Sequence, residues 1–277
     1  MPMRVSHDPG RPHLFVSCSN PLLHNITFLL RAFPLNSLHH ILFVFLFSGF
    51  AVGGLQDART DEFRLVFRDI FDRDETQAKK DEVGNGWVTN GDKPWARSPK
   101  QTDLRDGALH VVPVDADGSG VLIIRPWEFH DGTIKFRFML PEKRDSIGIV
   151  IADKNLKDVH AGHVMSVTMK PGSVKISDML SGAFAPEIWR RRKAKQSTPE
   201  DKDQIKKCIR ELPAEIGNGR WHQAAVSIQG DRVEVVIDRK SVGSFQSPGF
   251  ANLKTTLRMT FRNAGVLDDV ELYEPAN

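Results

Sequence analysis

The chain has 277 residues, of which 40% are hydrophobic and 26% are charged, and its formal net charge is +3 at pH 7. This is the composition of an ordinary globular protein, and so small a net charge gives no reason to expect a nucleic acid partner. The two cysteines, Cys18 and Cys208, are too few for a disulfide framework or for a thiolate zinc site.

Residues 1–58 differ in character from the remainder and are interpreted as a leader. An uncharged apolar run at 41–52, with the glycines that follow it, forms a signal-peptide-like segment over about 41–54. This run is shorter than the roughly 20 residues of a membrane-spanning helix. A basic flank, a short apolar core and a small-residue exit are typical of secretory signals. We therefore expect an exported protein, periplasmic or secreted. The alternative is that the segment is retained as a membrane anchor, and only that alternative predicts a membrane partner.

The remaining segment, 61–277, shows the period of β-strands. Apolar and polar residues alternate over 133–140, 226–237 and 257–262, and turn sequences such as Asp131-Gly132 separate the alternating runs. Alternation places one apolar face on a core and leaves the other face in water. Many short strands joined by such turns favour a sandwich over a fold with parallel strands and crossover helices. The sequence therefore predicts a single all-β antiparallel sandwich.

One α-helix is predicted within this β-rich segment, near 199–212. Thr198 suits the capping position, Pro199 suits the first turn, and Pro213 ends the pattern. Apolar residues recur at helical spacing between them, and Cys208 is one of them. We expect Cys208 to lie inside the protein as a small hydrophobic residue rather than to act as a reactive thiol.

A basic segment, Trp189–Lys195, directly precedes the predicted helix. Contact with a phosphate backbone is one interpretation. A solvated excursion between two strands is the interpretation we favour. If the protein is exported, an acidic polysaccharide or an anionic membrane surface is a more accessible partner for these charges than a nucleic acid.

Several short motifs occur in the order typical of one family of domains. They are Gly219–His222 with Ala225–Ile228, the hairpin Gly230–Asp238, the closing strand Val266–Tyr273, the opening strand Phe67–Arg73 with Trp87, and the hairpin Leu104–Leu109. Together they resemble concanavalin A-like (laminin G-like) domains, and in particular the branch of 3-keto-disaccharide hydrolase (3-keto-glucoside lyase/hydratase) proteins. The resemblance implies a jelly-roll sandwich and a carbohydrate partner. Arg239 stands where the family usually has glycine, which leaves the type of that turn open.

The most suggestive polar cluster lies between two predicted strands and contains Asp158, His160 and His163. Histidine exchanges protons near neutral pH, so we take these three residues as the candidate catalytic group. The alternative is a polar surface loop without a role in catalysis.

Further candidates follow from the faces of the predicted strands. Arg137, His130 and Lys154 are the candidate ligand-binding residues on a concave sandwich face. Asp72 and Asp269 come from the two ends of the domain and supply the hard oxygen ligands that calcium prefers. Calcium is the one cofactor that the sequence suggests.

Three functions remain open from the sequence. We favour a glycan-binding module. The alternatives are a 3-keto-glycoside lyase or hydrolase, which needs only a base and an oxyanion stabiliser, and a structural or protein-interaction domain without a small ligand. Retaining glucanases of this fold carry paired carboxylates in an E-x-D-x-E strand. That pattern is absent from the sequence, which disfavours a glucanase.

Overall fold

The computed structural model describes residues 63–96, 98–111 and 120–276. All of them belong to the unit Asp57–Asn277. The signal-peptide-like segment at 41–54 lies outside the described residues. Within the described ranges, no helix combines the length and the apolar character needed to cross a membrane.

Fifteen strands and two α-helices make up the described part of the chain. The strands are β1 Phe63–Asp69, β2 Val88–Thr89, β3 Thr102–Arg105, β4 Ala108–Val111, β5 Val121–Phe129, β6 Gly132–Met139, β7 Ser146–Ala152, β8 His163–Lys170, β9 Ser173–Asp178, β10 Ile209–Pro213, β11 Trp221–Gln229, β12 Arg232–Ile237, β13 Lys240–Gln246, β14 Lys254–Arg262 and β15 Gly265–Pro275. The helices are α1 Pro186–Lys193 and α2 Pro199–Lys207. Short 3₁₀ turns span His160–Gly162 and Pro248–Ala251.

The strands form two antiparallel sheets, as predicted for a concanavalin A-like jelly roll. In the first sheet the order is β13-β12-β11-β6-β15-β4-β3, and β1 also pairs with β15. In the second sheet the order is β10-β9-β8-β7-β14-β5-β2. Most spatial neighbours are distant in the chain, since β14 pairs with both β5 and β7 and β15 pairs with both β6 and β1.

The core lies between the two sheets and follows the predicted alternation. In β6 of the first sheet, Phe136 and Phe138 are at most 1% exposed. In β8 of the second sheet, Met165, Val167 and Met169 are fully buried. Each such side chain contributes about 1.5–3 kcal/mol by leaving water. Because side chains alternate along a strand, the remaining residues of the second sheet lie on its outer face, where the candidate site is found.

The predicted helix begins where expected but ends earlier. The Thr198 hydroxyl accepts from the Asp201 N–H at 3.2 Å, and the Asp201 carboxylate accepts from the Thr198 N–H at 3.1 Å, which forms a capping box. The expected end at residue 212 is wrong, because α2 stops at Lys207 and Ile209–Pro213 pairs with β9 as an edge strand. Pairing with the open edge of the sheet stabilises these residues more than a short apolar helix face would. As a result Ile209, which the helical pattern would have buried, is 37% exposed.

Most of the basic segment Trp189–Lys195 is also helical, since α1 spans Pro186–Lys193. Arg191 of α1 donates to both carboxylate oxygens of Asp201, at 2.8 and 2.5 Å, and so ties the two helices together. Cys208 is buried, as predicted, and burial raises the pKa of its thiol. Its side chain lies against Gly182, where an added Cβ would come within 2.8 Å of the Cys208 Cβ.

The ion pair between Arg191 and Asp201 makes the stability of the protein depend on pH. The hydrogen bond from Arg191 and the backbone bond from Thr198 lower the pKa of Asp201 from 3.8 to about 2. Because the folded-state pKa is depressed, the stabilisation is complete above about pH 4 and is lost as the pH falls toward about 2. We predict that Arg191→Gln lowers the melting temperature near neutral pH, as measured by circular dichroism. The difference in melting temperature between the variant and wild type should shrink as the pH falls from about 4 to about 2. A difference that stays constant down to about pH 2 would contradict the assigned ion pair between Arg191 and Asp201.

The turn between β12 and β13 carries two residues in the left-handed region, Asp238 at φ 50° and Arg239 at φ 65°. This is the signature of a type I′ turn, so the turn keeps this type although Arg239 stands where the family usually has glycine. Left-handed backbone costs a non-glycine residue about 1–2 kcal/mol, and the larger entropy of unfolded glycine offsets part of that cost. We predict that Arg239→Gly raises the free energy of unfolding by about 0.5–1 kcal/mol in urea titrations. Arg239→Ala is the control and should give no gain, and a loss with glycine contradicts the prediction.

Candidate functional site

The candidate site is built on the loop that joins β7 to β8. The Asp153 N–H donates to the Gly162 carbonyl at 2.8 Å, which closes the loop at its base. Gly162 has φ 64°, and an added Cβ there would lie only 2.2 Å from the Asp153 carbonyl oxygen. Only glycine fits this position. With Ala161 also left-handed at φ 52°, the loop turns sharply and presents His160 and His163 together.

The two ring nitrogens of His163 have different partners. Nδ1 lies 2.6 Å from the His160 carbonyl oxygen, which only accepts, so Nδ1 carries the proton. Nε2 is then an acceptor, and it lies 3.5 Å from Nη1 of Arg258. Burial lowers the pKa of His163 below 6.5, the bond to the His160 carbonyl opposes this, and the nearby Arg258 charge lowers it further. His163 is therefore a neutral base whose Nε2 lone pair faces the Arg258 guanidinium.

Aromatic rings enclose this base on one side. We call His160, Phe184 and Trp189 the aromatic wall. The ring centroids of His163 and Phe184 are 4.5 Å apart, and those of His160 and Trp189 are 4.4 Å apart. Phe184 reaches this position because the segment after β9 folds back over β8, with the N–H groups of residues 179 and 180 donating to the Val164 carbonyl. The wall reduces the contact of His163 with water, and this desolvation is the largest cause of the lowered pKa.

The outer face of the second sheet forms the floor beside the base. Strand register places Arg258 opposite Val150, Val150 opposite Ser166, and Ser166 opposite Ser177. The next row along the strands contains Thr260, Gly148 and Thr168. We call these residues the polar floor: Gly148, Val150, Ser166, Thr168, Ser177, Arg258 and Thr260.

Arg258 is fixed at the end of this floor nearest the histidines. Its Nη2 donates to the Ala161 carbonyl at 2.9 Å, so the loop that carries His163 also holds the guanidinium. Burial lowers the Arg258 pKa from 12.5, although an arginine retains its charge in proteins. The site thus combines a neutral base and a positive charge in a partly dry surrounding.

The structure groups some of the predicted site residues and separates others. His160 and His163 lie together. Asp158 is exposed and, with Trp189, lines a cavity of about 610 Å³, but among the described residues it forms no hydrogen bond to either histidine. Lys154 belongs to the same loop, where its N–H donates to the Thr255 hydroxyl at 2.8 Å and its side chain is exposed.

Two other predicted ligand-binding residues lie elsewhere. Arg137 is on the outer face of the first sheet, on the opposite side of the sandwich, and is ion-paired with Asp268 at 3.1 Å and Asp269 at 3.3 Å. His130 is exposed at the turn between β5 and β6, and its carbonyl accepts from the buried Lys254 ammonium at 2.5 Å. Arg137 and the catalytic candidates therefore lie on opposite faces of the sandwich.

The predicted calcium ligands have other surroundings. Asp72 is exposed after β1, and Asp269 is ion-paired with Arg68 at 3.4 Å and with Arg137 at 3.3 Å. Across the residues that the structure describes, no group of three or more His, Cys, Asp and Glu side chains is arranged to hold a metal ion. Calcium binding at Asp72 and Asp269 stays a prediction.

Arg258 and Phe184 were not predicted from the sequence, and Trp189 was predicted only as part of a basic segment. The alternation over 257–262 does predict that Arg258 faces outward from its strand. Its proximity to His163 depends on the pairing of β14 with β7 and β7 with β8, and no local pattern carries that information.

Comparisons with known proteins agree with the fold. The sequence model of the 3-keto-alpha-glucoside-1,2-lyase-like domain family matches residues 67–260. The laminarinase from Rhodothermus marinus is similar in structure, with a TM-score of 0.54, 12% identity, and coverage of 78% of this chain and 99% of that one. The laminarinase from Flavobacterium sp. UMI-01 gives a TM-score of 0.51, 14% identity, and coverage of 76% and 100%. At these identities the likeness shows the fold alone. No curated protein matches the sequence.

The lowered pKa of His163 is directly measurable. We predict that the imidazole titrates below pH 6.5 in nuclear magnetic resonance spectra of the His Cε1–H signals, because the aromatic wall excludes water. Phe184→Ala should move the midpoint upward. Trp221→Phe, on the outer face of the first sheet, is the control and should leave it unchanged. A wild-type midpoint at or above the ordinary value would contradict the burial of this base.

Proposed function

Because the chain belongs to the 3-keto-alpha-glucoside-1,2-lyase-like domain family, we propose that it binds a 3-keto glycoside on the outer face of the second sheet and eliminates the substituent at C1. The observation that carries this proposal is the unprotonated Nε2 of a neutral His163, which lies 3.5 Å from the Arg258 guanidinium. A base beside a fixed positive charge is what proton abstraction next to a ketone requires.

The reaction needs no oxidant and no reductant. The ketone at C3 acidifies the hydrogen on C2, and His163 Nε2 takes that proton while negative charge develops on the C3 oxygen. The electron pair then forms the C1–C2 double bond as the bond from C1 to the glycosidic oxygen breaks. The departing oxygen takes a proton, which the imidazolium can return. The products are an unsaturated keto sugar and an alcohol, and addition of water to the double bond gives the hydrolysed sugar.

Arg258 fits the role of oxyanion stabiliser. Its guanidinium is held by the Ala161 carbonyl at 2.9 Å and faces the base, so no reorganisation is needed as charge develops on the substrate. Its longer contact, 3.5 Å to His163 Nε2, is weak enough to exchange for the enolate oxygen when substrate enters. Removing one such donor typically costs about 10²–10³ in kcat.

The aromatic wall and the polar floor fit a carbohydrate. Aromatic rings pack on the apolar face of a sugar, while hydroxyl and guanidinium groups hydrogen-bond at its edge. These features support binding of the sugar whether or not turnover follows. A glycan-binding module without catalysis is therefore the second candidate, and the same site would serve it.

Export is part of the proposal and is supported by the signal-peptide-like segment at about 41–54. We expect the protein in the periplasmic or secreted fraction in a form shorter than the full chain. Immunoblots of cell fractions test this. A full-length product in the membrane fraction would favour retention of the segment as an anchor.

The catalytic roles are tested with a 3-keto α-glucoside. We predict that His163→Asn lowers kcat about 10²–10⁴-fold, as expected for loss of a general base, while calorimetry shows binding within a few-fold of wild type. Arg258→Gln should lower kcat about 10²–10³-fold. The matched controls are His110→Asn, a partly buried histidine of the first sheet, and Arg262→Gln, an exposed arginine of β14.

The outcomes separate the two candidates. Elimination that persists in His163→Asn overturns the assigned base. Equal binding of oxidised and unoxidised glycosides without turnover in wild type favours the binding module. The acid limb of the pH–rate profile should lie below pH 6.5, because the base must be neutral and burial lowers its pKa.

A further inference from the structure

Two serines of the polar floor have no part in the proposed chemistry. Ser166 of β8 is 8% exposed and Ser177 of β9 is 9% exposed, and register places them directly opposite each other. Both lie on the outer face, since their neighbours Val167 and Ile176 face the core. Within the described ranges, neither hydroxyl forms a hydrogen bond with another residue, and neither oxygen is sealed from solvent.

This arrangement leaves both hydroxyls available to a ligand. Each serine offers one donor and two acceptors, so a ligand that displaces the water there can hydrogen-bond to both side chains. In the same row, Val150 and Ile124 occupy comparable outward positions with apolar side chains. The backbone there tolerates apolar residues, so the paired hydroxyls are not a requirement of the sheet.

The distance between the two serines and Arg258 matches the size of one sugar ring. The row runs from Arg258 through Val150 to Ser166 and Ser177 on four adjacent strands. With strands about 4.8 Å apart, the Ser166 Cα lies roughly 10 Å from the Arg258 Cα, which leaves room for one pyranose ring above Val150. Ser166 also follows His163 on the same strand.

We infer that Ser166 and Ser177 form a specificity subsite that hydrogen-bonds two hydroxyl groups of the bound sugar. This inference rests on the proposed function, because it places the rest of the substrate relative to His163 and Arg258. The two hydroxyls come either from the keto ring itself or from a sugar leaving group. In both cases the serines select substrates by the positions of their hydroxyl groups, whereas His163 and Arg258 act at C2 and at the C3 ketone.

The test pairs serine variants with matched ligands. Binding is measured by calorimetry in the His163→Asn background, which removes turnover. The ligands are a 3-keto disaccharide, the methyl 3-keto glucoside, and its 2-deoxy, 4-deoxy and 6-deoxy forms. We predict that Ser166→Ala and Ser177→Ala each weaken binding of the disaccharide about 10-fold to 100-fold. Ser227→Ala, a partly buried serine on the outer face of the first sheet, is the control and should bind as the parent does.

The ligand series identifies the source of the hydroxyls. If they belong to the keto ring, the serine variants also lose affinity for the methyl glucoside, and this loss disappears with one deoxy form. If they belong to the leaving group, only the disaccharide is affected. A variant that weakens every ligand equally has merely disturbed the sheet, and that result overturns the inference, as does unchanged binding of the disaccharide. If the parent protein binds none of the ligands, the proposed function itself fails.

Discussion

The chemistry of this site depends on one close backbone approach. A Cβ at position 162 would lie only 2.2 Å from the Asp153 carbonyl oxygen, and the Asp153 N–H is bonded to the Gly162 carbonyl. This contact closes the β7–β8 loop tightly enough for the His160 carbonyl to meet Nδ1 of His163. The tautomer follows from that bond, and it leaves Nε2 unprotonated. The same loop holds Arg258 through the Ala161 carbonyl, so a single turn orients both the base and the positive charge.

The sandwich supplies a rigid support for this loop and a partly dry outer face. Similar sandwiches occur in laminarinases, yet this chain lacks the E-x-D-x-E strand of retaining glucanases. The difference has a chemical reason under the proposed function. Retaining glucanases use two carboxylates to cleave the glycosidic bond of an unoxidised sugar. A ketone at C3 makes the neighbouring hydrogen acidic, so one neutral histidine and one guanidinium suffice.

The fold was largely predictable from the sequence, whereas the complete site was not. Alternation over 133–140 and 257–262 predicts the strands because each strand buries one face. The end of the helix was mispredicted because Ile209–Pro213 responds to a sheet edge that no local pattern reveals. His160 and His163 were found because they lie three residues apart. Arg258 is 95 residues from His163 in the chain, and only strand pairing brings them together.

The most direct test of the proposed elimination is to measure whether the hydrogen on C2 is lost during cleavage. A 3-keto α-glucoside carrying deuterium at C2 is incubated with the protein, and the sugar product is analysed by mass spectrometry against a control without protein that corrects for spontaneous exchange. Elimination by His163 requires that the deuterium leave C2 with every turnover, so the product should lack it, and cleavage should be slower than for the unlabelled substrate. Cleavage that keeps the deuterium at C2 would show direct hydrolysis at C1 and would contradict the assigned chemistry.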